Sequence, residues 1–108
     1  MAYDSGLVAR VADLLPRAGG AGARQKNVFG GRGFMLGRSA AVIAWQDALL
    51  VKVPRDAYDE MLARPGIEPF RPGGEGAMGT WLVVPPDAIA DDPELVEWLE
   101  LGVRAVRG

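Results

Sequence analysis

Residues 39–53 read SAAVIAWQDALLVKV, and the fold turns on whether this run is one helix or two strands. Its alanines and leucines suit a helix, yet three features favour a hairpin. Leu49, Val51 and Val53 fall at every second position while Leu50 and Lys52 share the opposite face, which is the period-two alternation of a strand. Gln46 and Asp47 begin a turn between residues 41–45 and 49–53, and Gly37 with Arg38 makes another two-residue turn. Just upstream, Gly30, Gly31, Gly33 and Gly37 would each cost about 1 kcal/mol inside a helix. The spacing therefore predicts an antiparallel meander over about 24–29, 33–36, 39–45 and 48–53, its first two pieces read as separate or as one bent strand.

Outward from this meander the period changes to that of helices. From about Asp4 to Leu15, the residues Leu7, Val8, Val11, Leu14 and Leu15 lie opposite Arg10 and Asp13, an amphipathic helix capped by Asp4 or Ser5 and stopped by Pro16 and the following glycines. Pro54 and Asp56 open a short second helix in which Tyr58, Met61 and Leu62 fall together before Pro65 and Gly66. The segment IEPFR is a short strand that Pro69 places at an edge or at a strand's beginning, because proline cannot donate to a ladder. RPGGEGAMG reads as a mobile hairpin loop, and Thr80 to Val84 as a strand closed by Pro85 and Pro86.

In the last helix Asp91 or Asp92 caps, Pro93 takes the first position, and Leu95, Trp98, Leu99, Gly102 and Val106 form one stripe with Glu97, Glu100 and Arg104 outside it. Gly102 within that stripe predicts close contact with another backbone. The expected class is α+β: an N-terminal helix, an antiparallel meander sheet of about five strands, a short middle helix and a C-terminal helix, in a single domain over 1–108.

Composition narrows the chemistry. The 108 residues are 49% hydrophobic and 24% charged, with 12 basic and 14 acidic side chains and a formal charge of −2, as in a soluble globular protein. There is no cysteine and no histidine, which removes disulfides, thiol nucleophiles, the commonest metal ligand and the usual general base. Asp91 with Asp92 is explained by capping, and Asp56 with Asp59 and Glu60 by the solvated face of a short helix, so no catalytic, cofactor-binding or metal-ligating residue is assigned. The glycines of residues 27–35, NVFGGRGFM, lead into strand rather than helix. A phosphate there would lack a helix N-terminus, so the loop turns the chain rather than holding a nucleotide.

Arg24, Lys26, Arg32 and Arg38 form a local basic group on an otherwise balanced chain, and direct nucleic-acid binding is the weakest of the functional readings. No apolar run approaches the ~20 residues of a membrane span, and the start MAYDSG lacks the regions of a signal peptide. A cytoplasmic protein is expected.

The ordered pieces MAYDSGLVARV, KNVFGGRGFM, DALLVKV, ARPGIEPF, MGTWLVVP and DDPELVEWLELG together resemble the N-terminal domain of the TfoX/Sxy family of bacterial competence regulators, in its stand-alone form. The resemblance implies a helix followed by an antiparallel sheet interrupted and flanked by helices, similar to secretion chaperones. In the regulators this domain precedes a helical second domain, and the whole protein promotes transcription of DNA-uptake genes with the cyclic-AMP receptor protein. The motif is not a catalytic signature, and the resemblance carries over no active-site residue.

The resulting expectation is a non-enzymatic regulatory or protein-interaction module. It pairs with itself or with another protein through an edge strand such as the one holding Pro69 and Phe70, with Phe29, Arg32, Phe34, Phe70 and Trp81 as contact residues. The alternative is a small-molecule sensor whose pocket lies between sheet and helices, lined by residues such as Phe29, Phe34, Trp45 or Trp81.

Overall fold

The structure is a computed structural model and describes residues 3–107. Helix α1 (Ser5–Leu14) begins where the Asp4 carboxylate accepts the amides of Gly6 and Leu7, and it runs into a 3-10 turn, Leu15–Ala18, that Gly19 closes with a φ of 92°. Strands β1 (Arg24–Val28), β2 (Gly31–Leu36), β3 (Ser39–Trp45) and β4 (Ala48–Lys52) follow as a meander. Helix α2 (Arg55–Leu62) leads to β5 (Glu68–Pro69), β6 (Trp81–Val84) and the long helix α3 (Asp92–Arg107).

Residues 39–53 are thus a hairpin, as their alternation predicts. The pairings among the six strands are all antiparallel, in the order β1-β2-β3-β4-β6-β5. The sheet has six strands rather than about five. Residues 24–36 are not one bent strand, because Phe29 and Gly30, with φ of 54° and 76°, reverse the chain so that Val28 faces Gly31.

All helices cover one face of the sheet. Leu7, Val11 and Leu14 of α1, Met61 of α2 and Leu95, Trp98, Leu99 and Val103 of α3 pack there on Phe34, Val42, Leu49, Val51, Leu82 and Val84. In α3 the stripe follows expectation except at its end. Val103 takes the buried place expected of Val106, because its methyl group reaches the turn at Gly19.

The middle of the sheet carries a bulge. Phe34 pairs with Val42 but Met35 pairs with Ala40, which leaves Ala41 as the extra residue of β3. Above it, α3 presents Gly102, where a Cβ atom would lie 2.7 Å from the Ala41 carbonyl oxygen and 2.9 Å from Val42 Cγ1. The glycine expected to mark a close backbone approach does mark one.

Polar contacts clasp the helices from outside. Both terminal guanidinium nitrogens of Arg64, just past α2, donate to the Glu97 carboxylate of α3 at 3.1 and 2.9 Å, and the same guanidinium lies over the Trp98 ring at 5.8 Å. That hydrogen bonding holds the Glu97 carboxyl below its ordinary pKa and raises that of Arg64. Arg10 of α1 reaches the start of α3 at Asp92, and Arg104 reaches Asp56 of α2.

Two outcomes follow from this packing. Alanine is worth about 1 kcal/mol over glycine in an open helix, whereas Gly102→Ala is expected to lower stability by about 1–3 kcal/mol through overpacking, read as a reduced urea midpoint. For Glu97, a depressed native pKa means that stabilisation is complete above the ordinary value of about 4.5 and is lost as pH falls through the native value. Glu97→Gln should therefore cost under about 1 kcal/mol at neutral pH, given the exposure of the pair, and the difference from the parent should vanish in acid urea titrations.

Candidate functional site

The face of the sheet turned away from the helices has its own small cluster. Ile43 and Leu50 point out of it from the central strands, and Phe70 is buried upon them. Val28, Trp45, Met78, Trp81 and Val83 pack around these, partly exposed. Since no helix reaches this side, its cover has to come from the chain between β5 and β6.

Backbone bonds set Phe70 in place. Its amide donates to the Trp81 carbonyl at 2.9 Å and its carbonyl accepts from the Met78 amide at 2.9 Å. The glycine-rich segment therefore closes as a loop on a short stem, and within it Arg71 caps the Glu75 carbonyl. The Phe70 ring meets two others edge-on: Trp45 at 5.4 Å and Phe29 at 5.7 Å between centroids. Phe29 belongs to the turn between β1 and β2, so the aromatic contact joins two segments near opposite ends of the strand order.

Phe29 is unusual twice over. It is the exposed large hydrophobic residue among those described, 52% accessible. It also has the left-handed backbone, φ 54°, that Asn and Gly favour in such hairpin turns, at a cost of about 1–2 kcal/mol for a bulky side chain.

Beside the aromatic group lies a cleft of about 450 Å³. Trp45, Phe70, Val83, Pro85 and Pro86 supply its apolar wall, and Gln46, Asp47, Glu68 and Arg71 its polar groups. A smaller recess of about 140 Å³ lies on the helix side, between the Leu15–Ala18 turn and β1–β2, bordered by Phe34 and Gln25.

The expected contact residues thus divide. Phe29, Phe70 and Trp81 gather on the open face, Arg32 of β2 lies on the helix side against the Gln25 and Asn27 side chains of β1, and Phe34 is buried beneath the helices. The larger pocket is not between sheet and helices, where Val42, Leu49, Val51 and Leu99 fill the space, but on the opposite face. Sequence reasoning did not assign Arg71, Val83, Pro85 and Pro86 to any pocket, since it takes the β4–β6 pairing to bring Val83 and the prolines toward Trp45 and the β5–β6 pairing to add Arg71.

Electrostatically the molecule is divided. Residues 14–46 hold five of the 12 basic side chains and none of the 14 acidic ones. Arg24 and Arg32 are held only by neutral acceptors: the Gly37 carbonyl for the first, Gln25 and Asn27 side-chain oxygens for the second. All three ion pairs of the described residues lie elsewhere. Among the described residues no group of three or more acidic side chains is placed to hold a metal, and no helix is long and apolar enough to cross a membrane.

The family model described as the TfoX N-terminal domain matches residues 14–106. The chain belongs to that family. The matched span begins at the last residue of α1 and takes in the whole sheet, α2 and nearly all of α3, so the bulge at Ala41, Gly102 and the aromatic group all lie within the TfoX N-terminal domain. No curated protein and no solved structure matches the chain, and the likeness to secretion chaperones rests on the family resemblance alone.

The two phenylalanines should respond differently to removal. Phe70→Ala is expected to cost about 3 kcal/mol or more in urea unfolding, because it empties the cluster over Ile43 and Leu50. Phe29→Asn should stay within about 1 kcal/mol of the parent, since relief of the backbone offsets the lost ring contact.

Proposed function

We propose that this chain is a non-catalytic regulatory module that acts by contact with another protein, with the open face of the sheet as its recognition surface. The observation that carries this reading is Phe29, a large apolar ring kept exposed in a backbone conformation that disfavours it. Strain of that kind persists where a side chain is needed in place, and an aromatic anchor on a supported platform is what protein interfaces use. Family membership supports the regulation of competence as the process, with the cytoplasm as its compartment in this reading. Phe29 and Trp81 supply the contacts in this reading, on the platform of the buried Phe70, whereas Arg32 and Phe34 lie on the helix side of the sheet.

Affinity capture from the protein's own cells tests it with Phe29→Asn as the control. A specific protein retained by the parent and lost by the variant is expected; equal retention by both overturns the reading. Self-association is part of the same proposal, and light scattering at micromolar concentration should give twice the mass of one chain.

The cleft beside Trp45 favours a second reading, a small-molecule sensor, because about 450 Å³ with an apolar wall and a few polar groups suits a metabolite. A thermal-shift screen of nucleotides and metabolites should then raise the melting temperature of the parent. A bulky residue in the cleft, Val83→Trp, should abolish the shift.

A further inference from the structure

We propose that the outer edge of β1 receives an extended, acidic segment of a partner protein as a seventh strand of the sheet. This rests on the reading of the chain as a protein-interaction module and names the chemistry of what it takes.

The edge is open and long enough to pair. A two-residue turn makes Val28 and Gly31 a hydrogen-bonded pair, so along β1 the backbone groups of Lys26 and Arg24 also bond to β2, while those of Gln25 and Asn27 point outward. Neither outward residue has a backbone partner in the turns and loops of the described chain. Arg24 to Asn27 are all exposed. The opposite edge, β5, has only two residues and one of them is proline, so it offers a partner almost no ladder.

Charge selects the occupant. Arg24 and Lys26 alternate with the outward backbone groups, on the side of the sheet where Val28 joins the open-face cluster. Arg32 and Arg38 extend the field, and no carboxylate lies between Asp13 and Asp47 in sequence to offset it. A partner strand with Asp or Glu at alternate positions would place them opposite Arg24 and Lys26, the favourable cross-strand arrangement. A second copy of β1 is the wrong occupant, because antiparallel pairing of Gln25 with Asn27 sets Lys26 directly against itself. Duplex nucleic acid would use the same cations but neither outward amide.

The test is a titration of the isotopically labelled chain, followed by amide NMR, with the synthetic peptide TEVEVET, its counterpart TKVKVKT, and a mixed-sequence DNA duplex. The proposal expects TEVEVET to move the Gln25 and Asn27 amides downfield as they acquire acceptors, with affinity falling several-fold between 50 and 200 mM salt as the charges are screened. TKVKVKT should leave β1 unmoved. Lys26→Glu should weaken the acidic peptide about tenfold, and Asn27→Pro, which removes an outward backbone donor and the exposed side-chain acceptor of Arg32 but no bond of the β1–β2 ladder, should abolish its binding while the spectrum keeps the dispersion of the folded chain. If Asn27→Pro unfolds the chain, the Lys26→Glu arm decides alone.

Absence of β1 shifts at millimolar TEVEVET overturns the proposal. So does a preference for duplex over peptide, and so do β1 shifts on simple dilution, which would assign the edge to a second copy. A TEVEVET failure with Phe29-dependent capture intact removes this inference and leaves the interaction module standing; loss of that capture alone does the reverse.

Discussion

Helix α3 can lie across the middle of the sheet only because Gly102 brings no side chain to the carbonyl of Ala41. The bulge in β3 lifts that carbonyl toward the helix, and the glycine accepts it at a separation that no Cβ atom tolerates. With α3 seated there, Leu95, Trp98, Leu99 and Val103 close the main core together with α1. A bulge and a glycine far apart in sequence are therefore one device.

Seating every helix on one side leaves the other side of β3 and β4 to be covered by something else. Ile43 and Leu50 are as apolar as their neighbours on the core face, and a sheet cannot leave them in water without losing their burial energy. Phe70 covers them, held by backbone bonds to Met78 and Trp81, and Trp45 and Phe29 lean against it. Stability explains Phe70. It explains Phe29 poorly, since a half-exposed ring in a strained turn contributes little to a core, and the functional proposal starts from that imbalance.

The charge division adds direction to the same surface. The end of the sheet formed by β1, β2 and β3 carries cations that bind only neutral groups of their own chain, while the ion pairs gather around the helices. Lysine and arginine on an edge strand also deter indiscriminate pairing of edges. The two roles agree, because a cationic edge that repels its own copies still admits an acidic strand.

Much of the fold was legible in the residues. Alternation in residues 49–53, the two-residue turns at 37–38 and 46–47, the Asp4 cap and the place of Gly102 are all local, and local patterns state which residues share a face and where the chain reverses. The separate β1–β2 hairpin was harder to read, because Phe-Gly is a poor turn signal beside Asn-Gly. What only the tertiary structure decided is which faces meet. It placed β5 outside β6, put the extra residue of β3 at Ala41, sent Phe34 under the helices, and brought Phe29 to Phe70 across the sheet. Such pairings depend on register and on contacts between residues distant along the chain, and a periodic sequence carries no mark of either.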